Sequence, residues 1–183
     1  MKSFTLMQKF RNKLKIAKDT KISISKSAKI VHSNIYIKGE NNFLTIGDNS
    51  RLRNVSIEII GSDCSVYIGH NSMLGDNSTL FVKESTSLYI GNNCGFSRNV
   101  KIFTSDGHPI FHNGVRVNRA EDIKIAHNVW LGDNVTILKG VTVGEGSVVG
   151  INSTLTKSIE ANVVAVGNPA KVVKEKITWQ DKF

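Results

Sequence analysis

The sequence predicts an all-β solenoid, one domain wound from short parallel strands, and three features carry that expectation. From Ile125 an aliphatic residue recurs every sixth position, at Leu131, Ile137, Val143, Val149 and Leu155. Four residues after each stand Val129, Val135, Val141, Ser147, Ser153 and Ile159, all small or β-branched, with Gly, Asn and Asp crowding the positions between. Upstream the period widens to 22 residues: "FLTIGDNSRL", "SVYIGHNSML" and "SLYIGNNCGF" superpose, matching Leu44, Val66 and Leu88, then Ile46, Ile68 and Ile90, then Gly47, Gly69 and Gly91. Between Ile102 and Ile125 the repeat lapses for "FTSDGHPIFHNGVRVNRAEDIK". A repeat this short cannot bury its own apolar side, so stability must come from stacking one coil on the next.

In chain order, residues 1–21 form a basic arm. Lys2, Lys9, Arg11, Lys13, Lys15, Lys18 and Lys21 face Asp19 alone, so the arm holds +6 of the chain's net +9. In "FTLMQKFRNKLKIA", Phe4, Met7, Phe10 and Leu14 fall at helical spacing, which predicts a short amphipathic helix packing on the domain or touching a membrane surface. Residues 22–168 are the coils. Gly, Asn and Asp supply their turns by tolerating positive φ, and extra residues in "KGENN", "GSDC" and "KEST" widen one corner of the longer coils. Glu58 is read as a break in the inward row. The loop spans 103–122. In the tail, 169–183, Asn168 as N-cap and Pro169 in the first turn predict a helix with Val173 and Ile177 on one side.

Composition excludes several classes. No apolar run approaches the ~18–20 residues of a spanning helix, and the N-terminus lacks the pattern of a signal peptide, so the chain is expected in the cytoplasm. Cys64 and Cys94 make neither a disulfide framework nor a metal cluster, and Cys94 falls at the small-residue position of Ser50 and Ser72. No metal is expected. Nucleic acid is disfavoured because the charge is confined to an arm without interleaved aromatics.

A solenoid gains nothing from a loop of this length, and long loops in compact domains are more often functional. Asp106, His108, His112, Arg116 and Arg119 lie within it. Among these side chains imidazole is the one suited to act as a base near neutrality. His108 is the candidate, with His112 its competitor as base or acceptor contact.

The hexads resemble those of the hexapeptide-repeat transferase family, over roughly residues 22–170. The resemblance implies a left-handed parallel β-helix that assembles as a homotrimer. "SDGHPIFH" looks like the His-Pro segment of galactoside, maltose and bacterial polysaccharide O-acetyltransferases, which implies His108 as general base and acetyl-CoA as donor. "NVWLGDNVTILKG" is similar to the segment that follows that loop, implying that Trp130 flanks the cofactor groove, although a tryptophan there could also seal a subunit interface. Gly150, Ile151, Thr156 and Lys157 match positions lining the pantetheine and adenine, while Lys171 and Lys174 match basic residues meeting coenzyme A phosphates or form a solvated surface. Asn77 falls about where an acceptor-binding asparagine stands, and Asp106, His112 and Arg116 join it as expected acceptor contacts.

The expected activity is O-acetylation of a sugar hydroxyl by direct attack, the acceptor being a bacterial surface polysaccharide or its precursor. The basic arm would suit an anionic polymer such as a sialic-acid-containing one, or a peripheral position at the inner membrane face. The rival readings are a small-molecule galactoside or maltose acetyltransferase and a non-enzymatic β-helical scaffold.

Overall fold

A computed structural model describes residues 4–180. Short strands stack into a three-sided parallel prism. Among the described residues its first side has seven strands, from Lys13–Ile16 to Thr154–Leu155, and its second has six, from Lys21–Ile24 to Thr142–Val143. The third side has eight, from Lys29–Val31 to Ala170–Lys174. Each strand pairs with its equivalent one coil later: Leu44 with Val66, Leu88 with Ile123 across the loop, and Ile125 with Val143 in the hexads.

The expected inward row is the core. Ile125, Leu131, Ile137, Val143, Val149 and Leu155 are all fully buried, as are Val129, Val135, Ser147 and Ser153 at the corners. Gly47, Gly69 and Gly91 stack where coils come closest, and a Cβ on Gly69 would stand 2.6 Å from the backbone of Gly91. Asparagines at positive φ fill other corners and bond coil to coil, as from Asn134 Nδ2 to Asn152 Oδ1 at 2.8 Å.

Three expectations change. Glu58 does not interrupt the core: buried Ile57 and Ile59 flank it, and it points outward in register with Tyr36 and Phe81. Coils begin at Lys13, not at Ile22, because Lys13–Ile16 pairs with Asn34–Lys38 and packs Leu14 and Ile16 on the core. The alternation Lys-Leu-Lys-Ile is strand periodicity, and it ends the preceding helix, Leu6–Arg11, before Leu14 can join it.

The tail is the third change. Ala170–Lys174 is a strand, antiparallel to Val164–Gly167, and the Asn168–Pro169 peptide between them is cis. The last coil leaves an open edge of backbone N–H and C=O groups. A hairpin supplies partners to that edge where a helix would not.

Candidate active site

The loop leaves the first side at Phe103 and rejoins the second at Ile123. Its neck is closed by Glu121 N donating to Thr104 O at 2.9 Å, while Thr86 and Thr104 hydroxyls bond at 2.6 Å beneath it. Beyond the neck, Phe111–His112 and Val115–Arg116 pair as a small antiparallel hairpin.

Polar side chains hold the loop to the coils. Arg116 meets the Glu84 carboxylate through Nη2 at 2.7 and 2.9 Å, and Ser105 donates to the same carboxylate at 3.1 Å. Lys83 Nζ donates to Gly107 O at 2.8 Å, and Lys139 pairs with Asp106. These partners act on acidity in one direction. The bond from Arg116, aided by Ser105, holds the Glu84 carboxyl below the usual carboxylate range, and Lys139, aided by Asn118, does the same for Asp106.

Asn118, only 7% exposed, is the hub. Its Oδ1 accepts from Ile110 N at 2.6 Å, and its Nδ2 donates to His108 O at 2.8 Å and to Asp106 Oδ2 at 2.9 Å. One amide thus ties down the residues on both sides of His108 together with the histidine's own carbonyl. The His108 side chain is left exposed, with no ring hydrogen bond to the described residues. A cavity of about 470 Å³ lies at the start of the loop, lined by Phe81, Phe103, Leu138, Ser105, Asp106 and Gly107, the residue before His108.

The remaining expected residues divide between two corners of the prism. Thr156 and Lys157 follow the strand Thr154–Leu155 and stack on Leu138 and Lys139, whose Leu138 N donates to Leu155 O at 3.1 Å, so they share the corner of the loop. Gly150 and Ile151 lie one side away, stacked on Gly132, next to the third side that carries Trp130. Lys171 and Lys174 are exposed on the hairpin extending that side, so no helix N-terminus stands behind them to favour a phosphate. A single chain does not bring these two groups together.

The expected acceptor contacts fare differently. Asp106 and Arg116 are committed to the loop's own ion pairs. His112 is exposed on the hairpin, its Nε2 3.3 Å from Asn113 Nδ2. Asn77 accepts from Asn54 Nδ2 at 2.6 Å in a corner stack, at the far end of the strand Thr79–Lys83 from the contact between Lys83 and Gly107. The sequence reading missed Asn118, a lone asparagine in an irregular stretch with no motif around it. It also missed Trp179, which donates from Nε1 to Asn128 O at 2.7 Å and lies 6.0 Å from the Trp130 ring. The two indoles, with Met73, Phe96 and Ser97, line a groove of about 390 Å³. A second tryptophan in the tail was the available signal.

Cys94 is buried with its Sγ 3.1 Å from Ala126 O, and burial pushes its thiol up to about 11. That environment is the opposite of what activates a thiol. Among the described residues no group of His, Cys, Asp or Glu could hold a metal ion, and no helix is long and apolar enough to cross a membrane.

Residues 122–157 match the family described as bacterial transferase hexapeptide (six repeats). The chain is 35% identical to the structure of the polySia specific acetyltransferase NeuO, with a TM-score of 0.85 over 90% of this chain and 70% of that one. With the polysialic acid O-acetyltransferase OatWY the identity is 33% and the TM-score 0.73, over 94% of this chain and 92% of the other. Among curated relatives, the polysialic acid O-acetyltransferase of Escherichia coli O1:K1 / APEC is 49% identical over 77 residues, 41% of this chain. That match spans only 25% of the relative's length. The chain belongs to the hexapeptide-repeat transferase family, and its coil is the left-handed β-helix the resemblance implied.

Proposed function

We propose that the chain transfers an acetyl group from acetyl-CoA to a sugar hydroxyl of a bacterial surface polysaccharide, with His108 as general base. The observation that carries this reading is the clamp: Asn118 fixes the backbone around His108, on the corner that Thr156 and Lys157 share and next in sequence to a cavity wall at Gly107. His108 takes the hydroxyl proton as the sugar oxygen forms its bond to the thioester carbonyl carbon. The C–S bond then breaks, and the imidazolium returns its proton to the departing thiolate. Backbone N–H groups would carry the transient oxyanion. Direct attack fits the chain better than a covalent relay, because the Cys94 thiol is buried and held protonated.

Asp106 and Arg116 act in this reading as positioning residues for His108, and Asn77 and His112 remain the acceptor contacts to be tested. The two groups of cofactor residues call for a homotrimer. Across a subunit boundary the loop corner of one chain, with Thr156 and Lys157, can face the corner of another that carries Trp130, Gly150, Ile151, Lys171 and Lys174. The exposed Ile110, Phe111, Val115 and Val117 of the loop hairpin would cover part of that neighbour. A net charge of +9 favours an acidic acceptor such as a sialic-acid polymer, and the donor puts the reaction in the cytoplasm.

Mass spectrometry of polysialic acid, neutral polysaccharide and galactosides after incubation with acetyl-CoA tests the reading. A mass gain of one acetyl group on polymer but not on monosaccharide is expected. Acetylated galactoside alone would select the small-molecule alternative, and failure to bind coenzyme A would select the scaffold.

A further inference from the structure

The helix Leu6–Arg11 is attached to the coil stack by the wrong side for a soluble protein. Its buried side chain is the polar one. Gln8, 6% exposed, donates from Nε2 to Ala28 O at 2.9 Å. It also closes a capping box with Thr5, whose backbone N–H donates to Gln8 Oε1 at 2.8 Å. Just past the helix, Asn12 donates from Nδ2 to Ile30 O at 2.8 Å, and its Oδ1 accepts from Ser33 N at 2.8 Å. The cause lies in the first coil. Among the described residues the strand Lys29–Val31 lies at the edge of its sheet, and Gln8 and Asn12 present amides to backbone carbonyls there. Phe4, just before the helix, is buried on the core, but the helix's own large apolar residues turn outward, leaving Leu6 85%, Met7 63% and Phe10 92% exposed.

These side chains stand in a basic field. Lys9, Arg11, Lys13 and Lys15 are exposed on or just after the helix, and Lys26 and Lys29 on the first coil. A groove of about 610 Å³ between helix and coil is lined by Met7, Gln8, Arg11, Lys26 and Lys29 among others. The nearby carboxylate of Asp48 is engaged with Ser25, and the Asp48 backbone N–H donates to His70 Nδ1 at 3.1 Å.

We propose that this N-terminal end of the prism docks on an anionic lipid bilayer: Leu6, Met7 and Phe10 enter the interface while the cations of the arm and first coil meet lipid phosphates. Outward apolar side chains ringed by cations are the pattern of an interfacial helix. A second copy of the same face would set like charges against each other. A hydrophilic acidic polymer would have no use for three exposed apolar side chains. The trimer proposed above would put three such helices at one end and strengthen the contact by avidity; the docking itself does not depend on the acetyl-transfer reading.

The test is sedimentation of the full chain with vesicles of phosphatidylcholine containing phosphatidylglycerol, against phosphatidylcholine alone. The Leu6→Ser/Phe10→Ser variant changes only exposed positions, so its melting curve should match wild type. Lys26→Glu/Lys29→Glu is the second variant. The wild type should bind the anionic vesicles, each variant should bind at least tenfold more weakly, and activity on a soluble acceptor should not change with Leu6→Ser/Phe10→Ser. Absence of binding to anionic vesicles, or equal binding by Leu6→Ser/Phe10→Ser, overturns the proposal. So does a wild-type oligomer that falls to a smaller one in that variant without lipid binding, which would assign the face to a second copy. Undiminished polysialic acid binding by that variant, with polymer fully displacing vesicles from the wild type, would assign it to the polymer.

Discussion

Residues 122–157 and the loop 103–122 are neighbours in sequence and in space, yet they are held in different currencies. In the hexads Leu131, Ile137, Val143 and Val149 are buried between equivalents above and below, so each residue's contribution is apolar area and close packing. In the loop Ile110, Phe111, Val115 and Val117 are exposed, and the conformation rests on Asn118, Glu84–Arg116, Asp106–Lys139 and Lys83 to Gly107. Packing tolerates no specific chemistry but fills space. A polar clamp adds little to global stability, yet it can fix the backbone from which His108 projects. The division lets the wall be stable and the loop be exact in direction without either constraining the other.

Substitutions that separate the two properties test this contrast. His108→Ala should lower turnover by ~10²–10⁴-fold with the melting temperature unchanged, since the side chain is exposed. Coenzyme A affinity, measured by calorimetry, should stay at the wild-type value. If turnover survives in His108→Ala and fails in His112→Ala, the base is the other histidine.

Leu131→Ala reverses the pattern. Removal of a fully buried leucine should cost about 2–5 kcal/mol, read as a fall in denaturant midpoint. The folded fraction should retain its turnover.

Asn118→Ala falls between them. The melting temperature should move little, while kcat drops by roughly 10²-fold through misplacement of a group whose own chemistry is intact. A large stability loss with kcat preserved would mean that the loop is part of the wall after all.

Acidification should produce the mildest change. The Glu84 and Asp106 carboxyls lie below their usual values because Arg116 and Lys139 bind them. Their contribution is therefore fully present above the ordinary carboxylate range, and it is lost only as pH falls through the lower values of the folded protein. Proteolysis at the Asn113–Gly114 turn should stay suppressed until that lower pH. Arg116→Ala should move the onset of cleavage upward, and an onset near neutrality in the wild type would show that these pairs do not hold the loop.

Much of this was legible in the chain. Two periodicities named the inward row and the site of the interruption, because a stacked coil imposes a spacing that a linear pattern can display; within the interruption His108 was singled out by the resemblance of its His-Pro segment. Leu14 was misread where strand alternation and helical spacing compete over a few residues, and Glu58 by assigning an outward strand position to the inward row. Asn118, Phe81 and Trp179 gave no pattern, since their roles come from contacts with residues 8 to 51 positions away or from facing outward in a row of strands.

What the sequence by itself determined is the wall: six-residue spacing of aliphatic residues leaves one economical way to bury them, stacked coil upon coil. What only the tertiary structure decided is the treatment of the wall's ends and interruption. The open backbone of the first coil recruits Gln8 and Asn12 and turns Leu6 and Phe10 outward, while the last coil draws Ala170–Lys174 into a hairpin. The loop folds around an asparagine that brackets His108. Each outcome is set by hydrogen-bonding groups that acquire or lose partners only once the coils are stacked, and local sequence pattern carries no record of that.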